Sequence, residues 1–360
     1  MDPLVVSSYG TASSRGGSHG VSYFQLLGLE REPFSSSPDP HILFLSAAHR
    51  AALYRLRIAI KLQRGLCVVI GDVGTGKTTL SRRLAQLLPQ DGPIDVHVIL
   101  NPYFESDQQF LLALMDVFHV KASDPAPPLR VMLSAIERYL LTRAVDAGRI
   151  VTLVIDEAQR LSPSNLEMLR ALLNYETHDV KLLQLILMAQ PECLPMLQGI
   201  RNLWDRISLK HVLHPLDERE TGEFIVFRLA QAGFPGAPLF SKDAIRDIYV
   251  ATQGYPRRIT MLCHDALEQL VMDQQSVVSV ELIRGLLGRE REMLARVHPS
   301  TPPHALLRKA KHVGSLGMSP HETTPHVPRT LPTGLHWQGA VESQPEPAAR
   351  ALILKTPEAA

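Results

Sequence analysis

A glycine-rich loop between an apolar segment and a helical pattern constrains the fold more than any other part of this sequence. Residues 71–78, Gly-Asp-Val-Gly-Thr-Gly-Lys-Thr, satisfy the spacing GxxxxGK[ST]. The apolar residues 66–70 before the loop indicate a buried strand, and residues 77–88 after it indicate a helix. Three glycines let the backbone curve closely around a phosphate with successive N–H groups pointing inward. The sequence therefore predicts a P-loop that joins a strand to a helix.

Each part of this loop has a role in binding a nucleotide. We expect Lys77 to reach the β- and γ-phosphates of ATP and the Thr78 hydroxyl to bind Mg²⁺. The helix that begins near Lys77 adds its positive N-terminal end. The nucleotide-binding residues predicted in this segment are Gly71, Asp72, Val73, Gly74, Thr75, Gly76, Lys77, Thr78 and Thr79.

An acidic pair follows another apolar segment farther along the chain. Residues 150–155 predict a strand that would carry Asp156 to its carboxyl end, where the carboxylate can hold Mg²⁺. Glu157 is then placed to polarise a water molecule against the γ-phosphate. The alternative is an ordinary solvated pair of acids at a strand end. The P-loop upstream favours the catalytic interpretation.

Apolar segments alternate with helical patterns as far as Leu213, and the pattern then becomes entirely helical. Alternation of this kind predicts a mainly parallel sheet covered by helices on both faces. The predicted strands are residues 66–70, 96–100, 150–155, 182–188 and 207–213. The helices predicted between strands are residues 77–88, 110–117, 129–147 and 164–175, and those after the last strand are 217–232, 241–252, 256–273 and 279–296.

These patterns divide the chain into an α/β nucleotide-binding domain over residues 21–214 and a small helical lid over residues 215–297. Residues 1–20 are rich in Ser and Gly, and residues 298–360 hold ten of the 27 prolines. We expect both terminal segments to be disordered, because neither offers enough apolar surface for a core.

Composition excludes several classes of protein. Lys and Arg number 37 against 36 Asp and Glu, which excludes a surface-wide polycation built for nucleic acid. Three widely spaced cysteines form no disulfide framework and suit a reducing compartment. The sequence offers neither the apolar run that a membrane span needs nor the basic start of a signal peptide. We therefore expect a cytoplasmic protein without a membrane span.

Taken together, the motifs resemble those of AAA+ ATPases of the general secretion pathway protein A type, which are relatives of ATP-binding proteins that assist transposition. The similarity runs from about residue 23 to about residue 288 and has several parts. They are Tyr-Phe-Gln-Leu-Leu-Gly-Leu at 23–29, Pro-Phe-Ser at 33–35, Pro-Asp-Pro at 38–40, Leu45-Ser46 with His49, Asp-Glu-Ala-Gln at 156–159, Leu-Glu-Met-Leu-Arg at 166–170, Gln-Pro-Glu at 190–192 and Gly-Tyr-Pro-Arg at 254–257.

The resemblance implies roles for residues outside the P-loop. Gln190 corresponds to a polar sensor beside the attacking water, and Arg257 to a second sensor that contacts the γ-phosphate, with Arg258 as the alternative one residue away. Arg206 corresponds to an arginine finger that reaches the nucleotide of a neighbouring subunit, with Arg201 as the competing choice. The implied fold is a parallel AAA+ sheet between helices, followed by the lid.

The aromatic residues near the N-terminus leave two interpretations open. Tyr23, Phe24, Leu27 and Phe34 either pack at the edge of the core or, as the resemblance implies, lie partly near the adenine.

Two functions from different classes fit these residues. The first is an ATPase that self-associates and drives assembly of a secretion or pilus-type complex through an unidentified protein partner. The alternative is an ATP-gated adaptor that binds DNA, as in transposition. Several arginines of the helical region could contact DNA phosphates in such an adaptor. They are interleaved with Glu281, Glu290 and Glu292, so a solvated helix face is favoured over a DNA-binding face. These candidates are Arg257, Arg258, Arg284, Arg289, Arg291 and Arg296.

Overall fold

The computed structural model describes residues 22–35, 43–121, 127–177, 180–234, 236 and 238–297. The predicted disordered segments 1–20 and 298–360 lie outside these ranges. The strands of the described part form one sheet in the order β2-β3-β4-β1-β5, and every pair is parallel. This confirms the predicted parallel sheet. The strands are β1 Leu66–Gly71, β2 Ile94–Ile99, β3 Ile150–Ile155, β4 Leu183–Ala189 and β5 Ile207–Leu213.

Helices connect the strands and then continue alone after β5. In the α/β part the described helices are α1 Tyr23–Leu26, α2 Ala47–Lys61, α3 Lys77–Leu87, α4 Asp107–Val117, α5 Leu129–Leu141, α6 Pro163–Leu172, α7 Cys193–Gly199 and α8 Arg201–Trp204. After β5 they are α9 Glu218–Gln231, α10 Lys242–Thr252, α11 Pro256–Met272 and α12 Val280–Val297.

Successive residues of the interior strand β1 point to opposite faces of the sheet, so each face has its own core. Val68 packs in a cluster with apolar residues of α4, α5 and α6. Its neighbour Val69 packs in a separate cluster with α2 and α3. β1 is buried at all six positions, as expected for a strand covered on both faces. The carboxyl ends of the strands are left at one edge, where the predicted site residues follow them.

The helical region after β5 has a core of its own. Ile225, Ile248, Ile259 and Leu267 come from α9, α10 and α11 and are fully buried in one cluster. Phe34, from the segment after α1, is inserted into the same cluster. Its role is therefore to pack the core of the helical region.

Within the α/β part, the structure differs from the sequence prediction at the end of α5 and in helices that the prediction lacked. The helix predicted over residues 129–147 ends at Leu141, and a wider π-helical turn, Thr142–Asp146, follows it. Arg143 in this turn donates to the Asp95 carboxylate at the start of β2. The sequence prediction also lacked α2, a helix whose inner face packs beneath the P-loop strand.

Candidate nucleotide-binding site

The P-loop has the backbone that its glycines were expected to provide. Gly74 and Gly76 have φ angles of +83° and +96°, in the left-handed region that favours glycine. The Thr75 hydroxyl donates to the Asp72 carbonyl at 2.8 Å, which closes the turn. Gly76 is the N-cap of α3, so the loop leads directly into the positive end of that helix.

Lys77 lies beneath the loop with its ammonium group held in place. It is only 4% exposed, and its Nζ donates to the carbonyl oxygens of Gly71 at 2.7 Å and Asp72 at 3.0 Å. Burial lowers the pKa of Lys77, and the charges of Glu157 and Asp156 oppose this effect. A phosphate would supply further negative charge to this buried cation.

Asp156 lies at the carboxyl end of β3, where its side chain is almost completely buried. Its carboxylate accepts from the Glu157 N–H at 3.0 Å and also forms a hydrogen bond with the Thr78 side chain. Burial raises the pKa of Asp156, and the Thr78 hydrogen bond partly offsets the rise. The carboxylate and the hydroxyl are both hard oxygen ligands of the type that Mg²⁺ prefers. These two residues therefore fit a magnesium ion.

Two glutamine side chains fix the carboxylate of Glu157. Its Oε2 accepts from Gln159 Nε2 at 2.6 Å and from Gln190 Nε2 at 3.1 Å. The Oε1 of Gln159 in turn accepts from the backbone N–H of Gln190 at 3.1 Å. Gln190 directly follows β4, the strand next to β3, so the sheet brings these residues together. One oxygen of the Glu157 carboxylate is thus held in a fixed orientation by two amide donors.

Arg206 lies far from the P-loop of its own chain. It directly precedes β5, whose first residue Ile207 pairs with Leu66 at the start of β1. The P-loop follows the other end of that six-residue strand, roughly 20 Å away at about 3.3 Å per residue. Arg206 is half-buried and its competitor Arg201 is exposed. The register therefore prevents Arg206 from reaching the P-loop of the same subunit.

The start of α11 contacts the P-loop from the helical region. The Tyr255 hydroxyl donates to the Asp72 carboxylate at 2.8 Å, and burial together with Asp72 raises the pKa of Tyr255 to about 12. The Cβ of Arg257 lies 3.1 Å from the position that a Cβ on Gly74 would occupy. Arg258 instead donates to the Ala251 carbonyl at 3.2 Å. Of the two arginines, Arg257 is the one beside the loop.

Sequence reasoning assigned no role to three residues that the structure brings into the site: His49, Gln159 and Tyr255. His49 hydrogen-bonds to the Thr75 carbonyl of the P-loop. A signal for them was available, since each lies within a motif that carries the resemblance. The contacts themselves depend on the packing of α2 and α11 and are not visible in the spacing.

The P-loop, the acidic pair after β3 and the strand order together define a class of protein. Residues 60–197 match the family described as "AAA domain", and the chain is an AAA+ protein with a P-loop nucleotide site.

Among curated proteins, General secretion pathway protein A of Aeromonas hydrophila is 37% identical over 247 residues. This match confirms the resemblance, and it covers 68% of this chain and 44% of that protein. The chain therefore corresponds to less than half of the length of that relative.

Solved structures share the fold at low sequence identity. Cdc6p of Pyrobaculum aerophilum gives a TM-score of 0.54 at 13% identity over 68% of this chain and 67% of that chain. The ORC2 protein of Aeropyrum pernix, solved as ADPNP–ADP complexes, gives 0.53 at 17% identity over 71% of each chain. Within the ranges that the structure describes, none of the helices has the length and apolar character needed to cross a bilayer.

Proposed function

We propose that this protein binds MgATP and hydrolyses it to ADP and phosphate, and that it uses this cycle to assemble or remodel a secretion or pilus-type protein complex. The observation that carries the proposal is the oriented carboxylate of Glu157, held by Gln159 and Gln190. A site that only bound nucleotide would have no use for a fixed general base.

In this proposal the P-loop binds the phosphates of the nucleotide. Its backbone N–H groups and the Lys77 ammonium face the β- and γ-phosphates. Thr78 and Asp156 would hold Mg²⁺, which when bound neutralises charge on the phosphate oxygens. Thr79 follows Thr78 in the first turn of α3 and completes the predicted binding set.

In the hydrolytic step, Glu157 acts as the general base and accepts a proton. A water oxygen attacks the γ-phosphorus, the bond to the ADP oxygen breaks, and the carboxylate takes the proton of the water. Gln190 and Gln159 keep this carboxylate oriented, since both donate to the same oxygen.

Arginines would stabilise the negative charge that develops during transfer. Arg257 approaches the nucleotide from the helical region of the same subunit, because it already lies beside Gly74. Arg206 lies too far from its own P-loop and would act on a neighbouring subunit. The active form is then an oligomer in which each subunit completes the site of the next.

A protein partner has more support than DNA. The similar protein of Aeromonas hydrophila is named for a secretion pathway. Of the arginines considered for DNA, Arg284 binds Asp247 at 2.7 Å and Arg289 binds Gln269 at 2.9 Å, both within the helical region. We place this activity in the cytoplasm, a compartment that suits the buried free thiols of the three cysteines.

The test replaces the base and measures binding and chemistry separately. Glu157→Gln removes the base but keeps the size of the side chain, so MgATP should bind while phosphate release falls about 10²-fold or more. The matched control is Glu167→Gln, on an exposed acid of α6 that pairs with Arg170. Phosphate release at the parent rate from Glu157→Gln would refute the proposed hydrolysis at this site.

A further inference from the structure

A buried histidine on α2 contacts the P-loop from behind. His49 is 3% exposed and lies one turn into the helix whose N-cap is Ser46. Its Nε2 is 3.0 Å from the Thr75 carbonyl oxygen, and its Nδ1 is 2.7 Å from Ser46 Oγ. Ser46 and Thr75 are buried as well, so water does not compete for these hydrogen bonds.

The acceptor fixes the protonation of the imidazole. A carbonyl oxygen only accepts, so Nε2 carries the proton and donates to Thr75. In the neutral ring Nδ1 then accepts from the Ser46 hydroxyl. Burial lowers the pKa of His49, which favours this neutral form. The ring is therefore held at both nitrogens and presents one donor to the loop.

The bond to Thr75 also determines the direction of the next N–H group. In a planar trans peptide the carbonyl and the following N–H point in opposite directions. Since the Thr75 carbonyl points at His49, the N–H of Gly76 points away from it. In the described part of the chain, no residue accepts a hydrogen bond from this N–H, which leaves it for a ligand.

Gly76 itself is shaped to fit this ring. A Cβ on Gly76 would lie 2.6 Å from His49 Nε2, and its φ of +96° is one that other residues rarely adopt. His49 thus touches the loop at two consecutive residues, directly before Lys77.

The N-terminus of α2 is held in turn by the helical region. The backbone N–H of Ala47 donates to Glu220 Oε1 at 3.0 Å. The other oxygen of Glu220 accepts from the backbone N–H of Asp217, the N-cap of α9. The histidine is therefore anchored at the helix end that meets α9.

We propose that His49 is a positioning residue of the nucleotide site, which holds the Thr75 carbonyl so that the Gly76 N–H is presented to the phosphates. The inference rests on the proposed nucleotide site. It assigns His49 no contact with the nucleotide and no part in proton transfer.

Two substitutions separate this role from simple packing. His49→Leu fills the space but removes the donor. His49→Gln places an amide N–H near the position of Nε2 and keeps the donor. The control is His97→Leu, because Nδ1 of His97 donates to the Val117 carbonyl at 2.7 Å on the distant strand β2. All three variants are compared with the parent by calorimetry with ADP and with a non-hydrolysable ATP analogue.

We expect His49→Leu to weaken nucleotide binding by about tenfold or more, and His49→Gln to remain within about threefold of the parent. His97→Leu should lower the melting temperature without changing affinity. Parent-like affinity of a folded His49→Leu variant would overturn the proposal, and so would a loss in His49→Gln as large as in His49→Leu.

If His49→Leu does not fold, the nucleotide affinities of His49→Gln and Ser46→Ala are compared instead to test the positioning role. Ser46→Ala frees the ring at Nδ1 and should bind more weakly than His49→Gln; equal affinities would contradict the proposed positioning. All of these readouts measure binding. A parent protein that binds nucleotide without hydrolysing it would refute the proposed function and leave this inference intact.

Discussion

The α/β part and the helical region contribute to the site in different ways. Gly71, Asp156 and Gln190 lie at or directly after the ends of β1, β3 and β4, which are neighbours in the sheet. Their separations are therefore set by strand register. The helical region reaches the loop through Tyr255, the N-cap of α11, and Arg257 in the first turn of that helix. The sheet therefore fixes the separations of the groups proposed for binding and chemistry, whereas the helical region adds contacts that depend on how it packs.

The junction between the two regions is unusually tight at one residue. A Cβ on Gly254 would lie 1.8 Å from the Leu216 carbonyl oxygen, and the Leu216 N–H donates to the Gly254 carbonyl at 2.9 Å. Leu216 connects β5 to α9, so this pair ties the start of the helical region to the turn that carries Tyr255. No side chain larger than hydrogen fits there without moving the backbone.

The largest expected effect is on the rate of ATP hydrolysis by Arg206→Ala, a variant that tests whether the site is complete within one chain. Arg206→Ala should bind ATP normally but hydrolyse it about 10²- to 10³-fold more slowly, since a stabilising charge is lost from the transition state. Mixing it with Lys77→Ala protein should restore part of the activity, because an intact P-loop then meets an intact arginine.

Steady-state phosphate release over a dilution series checks the same claim. Activity per subunit should fall on dilution. A flat dilution curve without recovery in the mixture would rule out an arginine acting between subunits. If Arg201→Ala gave the expected behaviour instead, only the choice of arginine would be wrong.

The next largest effect is expected from a substitution in the P-loop, the part of the site that follows the sheet. Lys77→Ala removes the buried cation, and MgATP affinity should fall about 100-fold, or about 3 kcal/mol. Lys242→Ala on the exposed surface of α10 is the control and should bind like the parent. Equal affinities of Lys77→Ala and the parent in calorimetry would remove Lys77 from the site.

A smaller effect is expected from the helical region. Tyr255→Phe deletes the hydroxyl that donates to Asp72, and nucleotide affinity should fall about fivefold, near 1 kcal/mol. Tyr54→Phe changes a tyrosine that is 66% exposed on α2 and serves as the control. A loss as large as that of Lys77→Ala would mean that the lid, and not the sheet, dominates binding.

Much of the fold followed from sequence periodicity, and the failures have physical reasons. All five strands were predicted because each is a compact apolar segment. α7 and α8, of seven and four residues, are too short to show a helical period, and Pro195 lies inside α7. The end of α5 at Leu141 was missed because the π-helical turn after it retains helical residue types.

The site was predictable where backbone motifs determine it and unpredictable where packing does. The P-loop, Asp156 and Glu157 came directly from local spacing. The contact of His49 with Thr75 joins residues 26 positions apart, and the bond of Tyr255 to Asp72 joins residues 183 apart. Both arise from the way helices pack against the loop, which a single sequence does not specify.

We expect one nucleotide to engage the sheet edge and the helical region together. Amide hydrogen exchange, with and without MgATP, measures both regions in one experiment. Bound MgATP should slow exchange in peptides covering residues 71–79, 156–159 and 254–258 of the parent, and exchange in Lys77→Ala should not change. Unchanged exchange at residues 71–79 of the parent would contradict the nucleotide site, and protection there without protection at residues 254–258 would contradict the part assigned to the lid.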